Sequence, residues 1–234
     1  MSEAAMTTQS ESLQPENRLS ISTPGALFAL GATLYMGLDA AGIEALWMAA
    51  LKIVPILTLV WLAATHLSGL GRTLTVAALL FSATGDVLLA IPFANHFVFG
   101  LGAFLLAQLT YAGNFLRAAE LGSRRFALRG IAVVLAALLL ARQVLPNAGE
   151  MALPVVFYVM AIVFMALSAA AHRSGSSLLF AGALTFMISD ALIALNRFVD
   201  PIPLSGTWIM LTYYAAQALL VTGLIRADLA ARRA

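Results

Sequence analysis

The chain contains no cysteine, which excludes disulfides, thiolate metal sites and cysteine nucleophiles together. Charge is almost as scarce: Asp, Glu, Lys and Arg make up 10% of the 234 positions, against about a quarter in a soluble domain. A glycine-rich phosphate loop and a Gly-x-Ser-x-Gly elbow are also missing, and with them the common nucleotide-binding and serine-hydrolase signatures. With so few polar groups, the chain cannot cover itself with a surface that water solvates. What it has instead is apolar: 62% hydrophobic residues and a mean hydropathy of +0.94, so its solvent must be lipid.

A helix that crosses a bilayer needs roughly 20 mostly apolar residues. Such stretches lie near 23–38, 46–66, 73–92, 97–116, 126–145, 151–171, 177–196 and 206–225. The sequence therefore reads as an all-α polytopic membrane helix bundle of about eight transmembrane helices. Seven is the main competitor, because the first stretch is short. Residues 1–21 lack a basic n-region and a cleavage signature and read as a disordered cytoplasmic tail. Residues 22–228 form the transmembrane domain, and 229–234 a basic cytoplasmic tail.

The loops set an orientation. Arg18, Arg72, Arg117, Arg124, Arg125, Arg129, Arg173, Arg226, Arg232 and Arg233 fall on one side. Only Arg142 and Arg197 fall on the other, beside Asp39, Glu44, Glu150 and Asp200. By the positive-inside rule both termini are cytoplasmic, as in a bacterial-type inner membrane. The Arg124-Arg125 pair reads as a topology determinant, and no nucleic-acid partner is expected. His66 and His172 fall at the cytoplasmic boundary and His96 outside, so they cannot jointly bind one zinc with buried acids. No metal or organic cofactor is expected.

An internal repeat is visible. Ala63 to Gly69 (AATHLSG) parallels Ala169 to Gly175 (AAAHRSG), and Gly85-Asp86-Val87-Leu88 parallels Ser189-Asp190-Ala191-Leu192. Ala107-Gln108 followed by Arg117 parallels Ala216-Gln217 followed by Arg226. The repeat is four spans long, which makes the halves a parallel 4+4 pair related by an axis along the membrane normal.

Charged groups inside a span cost a few kcal/mol to insert and are functional or paired. Three occur: Lys52, Asp86 and Asp190. Counting about 1.5 Å per residue from the cytoplasmic ends puts these three, with Tyr158 and Tyr213, roughly 20 Å above the inner boundary. One polar layer in the outer half of the bundle follows. Ser82 shares a helix face with Asp86, as Gln217 does with Tyr213; Phe104, Gln108 and Tyr111 form one stripe. The alternative is a purely structural network, one lysine neutralising one aspartate. Two nearby carboxylates with a single lysine cannot both ionise cheaply, so one is expected to keep a proton and the other to be ionised.

Together these residues resemble the YhhN/TMEM86 family, the lysoplasmalogenase-like membrane proteins. The resemblance runs from about Leu51 to Arg226. It is carried by Lys52-Ile53-Val54-Pro55, Phe81-Ser82 with Gly85-Asp86, Gly100 to Phe104, Ala107-Gln108 with Tyr111, Ser189-Asp190, Ala194 to Phe198, and Tyr213 to Gln217. The family often has Lys-Pro where this chain has Lys52-Ile53, and often His in place of Gln108; the second departure leaves the two aspartates as the strong acid/base candidates.

The resemblance implies hydrolysis of the vinyl ether bond of a lysoplasmalogen, a lysophospholipid, to a fatty aldehyde and a glycerophospho-base. Such a bond is cleaved by protonating its β-carbon, giving an oxocarbenium ion that water captures. Glycosidases solve the related problem with two carboxylates. On this reading Asp86 and Asp190 are catalytic and face one cavity. Lys52, Ser82, Tyr158, Tyr213, Gln217, Gln108 and Tyr111 support them, and Asn196 and Arg197 meet the headgroup phosphate. The alternatives are a proton-coupled transporter or lipid carrier using the buried Asp pair, and a structural membrane protein.

Overall fold

The computed structural model describes residues 16–233, with side chains from residue 23 onward. Eight helices follow one another: α1 (Glu16–Ala40), α2 (Trp47–His66), α3 (Gly69–Ala90), α4 (His96–Leu116), α5 (Arg124–Val144), α6 (Ala152–Ala171), α7 (Ser177–Phe198) and α8 (Ser205–Arg233). Two short 3-10 turns, Leu145–Asn147 and Gly149–Met151, join α5 to α6. Helices are what lipid demands, because each backbone group must find its partner within the segment.

The protein is a polytopic helical membrane protein. Among the described residues, seven helices, α2 to α8, are long and apolar enough to span. The first expected span lies within α1, which does not reach that apolarity; its run of apolar residues is short and Pro24 lies within it. α1 still packs against α2 and α8, with Phe28 and Tyr35 edge-on to Tyr214. Two tail boundaries shift. α1 already starts at Glu16, within the stretch read as tail; the part before it lies outside the described residues. α8 continues through the expected basic tail to Arg233, tied down where Arg232 pairs with Asp228 one turn back and donates to the His66 carbonyl at 3.3 Å.

Outward faces carry the large apolar side chains expected against lipid, among them Trp61, Phe99, Leu139 and Phe157. α5 is the most peripheral spanning helix, burying only Val133, Ala137 and Val144. Inside, Ile56, Leu79, Tyr111, Phe115, Met165, Phe186 and Leu220 belong to one continuous core. In lipid, helices associate by close packing rather than by a hydrophobic force, so small residues occupy the tightest crossings. A Cβ on Gly182 of α7 would lie 2.9 Å from the Leu220 amide nitrogen of α8. Backbone cannot yield there as a side-chain tip could. Gly182→Val should therefore destabilise the bundle by about 1–3 kcal/mol through overpacking, read as a lower midpoint of thermal unfolding in detergent.

Pro55 sits inside α2 and removes one rung of its ladder. Near this break the Lys52 carbonyl accepts from the Tyr214 hydroxyl at 2.7 Å. The α2 backbone that carries Lys52 is thus pinned to α8, which aims the lysine at the interior.

Candidate active site

Asp86 lies on the buried face of α3, one turn beyond Ser82, and is only 2% exposed. Its Oδ1 lies 3.4 Å from Lys52 Nζ of α2. Its Oδ2 accepts from the Tyr213 hydroxyl of α8 at 2.7 Å. One turn further along α8, Gln217 donates to Ser82 Oγ at 2.9 Å and accepts from the Tyr111 hydroxyl at 2.8 Å. Lys52, Ser82, Asp86, Tyr111, Tyr213 and Gln217 form one buried network.

Asp190 of α7 is met differently. Its Oδ2 accepts from Gln108 Nε2 of α4 at 2.7 Å and from the Tyr158 hydroxyl of α6 at 2.9 Å. No cation pairs with it among the described residues, and Oδ1 takes no hydrogen bond from them. Gln108 is fully buried, and its Oε1 has no partner. The two clusters are joined through α4, whose stripe sends Gln108 to Asp190 and Tyr111 to Gln217. Tyr213 also packs edge-on against Phe104 and Phe186, one turn before Gln108 and Asp190 on their helices.

Helix by helix, the partners follow the repeat seen in the sequence, although Gln108 matches Gln217 there and Tyr213 stands one turn away. Asp86 is approached from the second helix of its own half and the fourth of the other, by Lys52 and Tyr213. Asp190 is approached likewise, by Tyr158 and Gln108. The halves differ in charge: the lysine of one is a tyrosine in the other.

The expectation of one cavity shared by both acids is corrected. A narrow cleft between α4, α5, α6 and α7, with free space of only about 40 Å³, is lined by Asp190 and Tyr158, and otherwise by apolar side chains such as Leu101, Leu140, Val159 and Met187. Asp86 does not line it. Lys52 and Tyr213 occupy both of its oxygens, and the aromatic contacts of Tyr213 with Phe104 and Phe186 fill the space toward α7. Sequence counting gave depth along each helix, but not the rotation that decides which space a side chain enters.

The expected headgroup residues lie at the end of α7. Arg197 is exposed, with its guanidinium 4.5 Å from the ring centroid of Phe97, a residue that lines the cleft. Asn196 is committed to the fold: its Oδ1 accepts from the Ile202 amide at 2.8 Å. The apolar walls went unnoticed in the sequence, since nothing separates a cleft-lining leucine from a lipid-facing one. His66 bonds within its own helix end, His96 meets Phe93 edge-on, and His172 bonds to Ser174.

Comparison with known proteins shows the family. The YhhN family profile matches residues 47–224, the stretch that holds every residue of both clusters. A lysoplasmalogenase of Mycobacterium tuberculosis is 38% identical over 168 residues, 69% of this chain and 64% of that protein. The chain thus spans about two thirds of the mycobacterial length. The bovine lysoplasmalogenase TMEM86A is 36% identical over 74% of this chain and 77% of its own; the human lysoplasmalogenase TMEM86B is 33% identical over 85% of each. No solved structure matches the chain. With its profile match running from the start of α2 well into α8, and relatives 33% to 38% identical over the matched stretches, the chain belongs to the YhhN family.

Proposed function

We propose that this protein is a membrane-embedded hydrolase that cleaves the vinyl ether bond of lysoplasmalogens, with Asp190 as its catalytic acid. The observation that carries this reading is Asp190 in an apolar cleft, held by two neutral donors on one oxygen, with Arg197 beside the cleft wall. Lysoplasmalogenase relatives supply the substrate class.

The cleft is closed down to about 40 Å³ of free space, so substrate entry requires its apolar side chains to move apart. Arg197 lies seven residues beyond Asp190 on α7, about 10 Å nearer the membrane surface. A phosphate at Arg197 leaves the vinyl ether, a few bonds deeper, near Asp190, while the alkenyl chain follows the apolar walls. Asp190 donates its proton to the β-carbon and becomes a carboxylate facing the oxocarbenium ion. Water adds to the α-carbon and returns a proton to that carboxylate. The hemiacetal then collapses to aldehyde and the glycerol hydroxyl. One carboxylate serves both steps. Asp86, paired with Lys52, becomes a positioning residue that acts through Tyr213.

The test is purified protein in detergent incubated with lysoplasmenylcholine and with acyl lysophosphatidylcholine. Aldehyde from the first alone, without a proton gradient, is the expected result; gradient-dependent flux without aldehyde would turn the reading to a carrier. Arg197→Ala should raise KM about tenfold or more with kcat little changed, as loss of a charged contact to substrate does.

We also infer that α1 crosses as an eighth span despite its lower apolarity and that both termini face the cytoplasm, from the excess of arginine at that end of the helices. Reporter fusions after Ala234 and near Pro201 should report opposite sides. The same side for both would overturn this topology.

A further inference from the structure

A second pocket opens at the other end of the bundle from Arg197, where α4 and α6 finish and α8 extends beyond the others. It holds about 460 Å³ of space and is open to the outside. Its walls come from the start of α3, the end of α4, the turn after α6 and the last turns of α8. Two exposed arginines are among the residues that line it, Arg117 and Arg173, and neither pairs with a carboxylate among the described residues.

These arginines are set in place rather than trailing from loose loops. The turn after α4 and the turn after α6 are clasped by two short backbone bonds: Glu120 N donates to Ala171 O and Arg173 N to Ala118 O, both at 2.7 Å. That clasp holds the backbones of Arg117 and Arg173 side by side. Arg117 Nη1 donates to Asn114 Oδ1 at 3.3 Å. Asn114 is itself buried and donates to Thr75 Oγ1 at 3.0 Å and the Gly71 carbonyl at 3.3 Å. Gly71 presents bare backbone to the guanidinium: a Cβ there would stand 3.4 Å from Nη1. The acid on the wall, Asp228, is already paired with Arg232, and Glu120 makes no ion pair among the described residues. His172 adds no positive charge, since burial and the neighbouring Arg173 hold it below the usual histidine range. Its Nδ1 faces Ser174 Oγ at 2.7 Å.

Two arginines on clasped turns, one of them anchored to a buried amide and neither neutralised by a carboxylate among the described residues, offer the chemistry that recognises a tetrahedral oxyanion. We propose that this pocket is a second ligand site, separate from the Asp190 cleft, and that it binds a phosphate group. The phosphate can belong to a lipid headgroup at the membrane surface or to a soluble phosphate ester. It is not the phosphate of a substrate bound at Asp190. Asp190 lies 14 residues along α7 from Ser176 at this end, roughly 20 Å away, whereas phosphate and vinyl ether are separated by only a few bonds.

The experiment uses the full chain carrying Arg197→Ala, so that the guanidinium at the far end makes no contribution. Inorganic phosphate and sn-glycerol 3-phosphate are titrated in detergent by calorimetry. Retention of phosphatidylglycerol against phosphatidylcholine is followed by native mass spectrometry. Binding of the soluble probes identifies a free phosphate ester as the occupant; selective retention of phosphatidylglycerol identifies a headgroup. Either supports the site if Arg117→Gln with Arg173→Gln weakens it at least about tenfold, as loss of charge-assisted hydrogen bonds should. Should that pair fail to fold, Arg117→Lys with Arg173→Lys keeps the charge, removes the fork geometry and should still weaken binding several-fold. No binding of any probe, or binding that the arginine replacements leave unchanged, overturns the proposal.

Discussion

Asp190→Asn is expected to reduce aldehyde release at least about a hundredfold, the usual consequence of removing a general acid, while leaving a folded bundle. The fold should persist because asparagine keeps an oxygen that can accept from both Gln108 and Tyr158, the two donors on Oδ2. What it loses is a transferable proton. The loss should fall on kcat, with KM little altered, because the phosphate contact at Arg197 and the apolar walls of the cleft are untouched. Purified variant, checked for a monodisperse gel-filtration peak and wild-type thermal midpoint, is assayed with lysoplasmenylcholine. Near-normal turnover would remove Asp190 from the chemistry, and with it the proposed mechanism.

The second large effect concerns Asp86 and is of a different kind. Asp86→Asn leaves the Lys52 ammonium, 12% exposed, without its carboxylate. Breaking one side of a buried ion pair costs about 3–5 kcal/mol, because the remaining charge is desolvated and uncompensated. The variant should therefore unfold at distinctly lower temperature or denaturant concentration. Asp86→Leu combined with Lys52→Met removes both charges at similar volume and should recover most of the stability. The recovered double variant then separates two roles. If it keeps at least about a tenth of the wild-type turnover, Asp86 acts on packing and on the orientation of Tyr213. A hundredfold loss in a stable double variant would return Asp86 to the reaction and restore a two-carboxylate mechanism.

These contrasting expectations come from two aspartates that look equivalent in the sequence. Both stand at the same depth in corresponding helices and begin related stretches, Gly85-Asp86-Val87-Leu88 and Ser189-Asp190-Ala191-Leu192. Their difference was partly legible, since Lys52 in one half corresponds to Tyr158 in the other. The distribution of that single positive charge was not. Lys52 could have reached either acid until the break at Pro55 and the Tyr214 contact fixed the backbone that carries it.

The second pocket illustrates the limit more sharply. Arg117 and Arg173 counted in the sequence only as members of a basic boundary that reports topology. Their adjacency depends on the backbone clasp between residues 118–120 and 171–173, which joins turns more than fifty positions apart. Asn114 and Thr75 carry little signal by themselves, because a threonine in a membrane helix usually bonds to its own backbone, and Thr75 does that as well, to the Gly71 carbonyl.

By itself, the sequence determined the class of the protein, the approximate limits of its helices and the depth of its buried polar groups. Those properties follow from composition and from rise per residue, which are local: a lipid core forces apolar stretches into helices, and counting along them sets height. Tertiary structure alone decided which groups meet. It paired Lys52 with Asp86, opened the cleft to Asp190, kept Asp86 out of it, and brought Arg117 beside Arg173. Each of those outcomes depends on helix rotation and crossing, set by contacts such as Gly182 against the Leu220 backbone. Such contacts join residues far apart in the chain, and no local pattern encodes them.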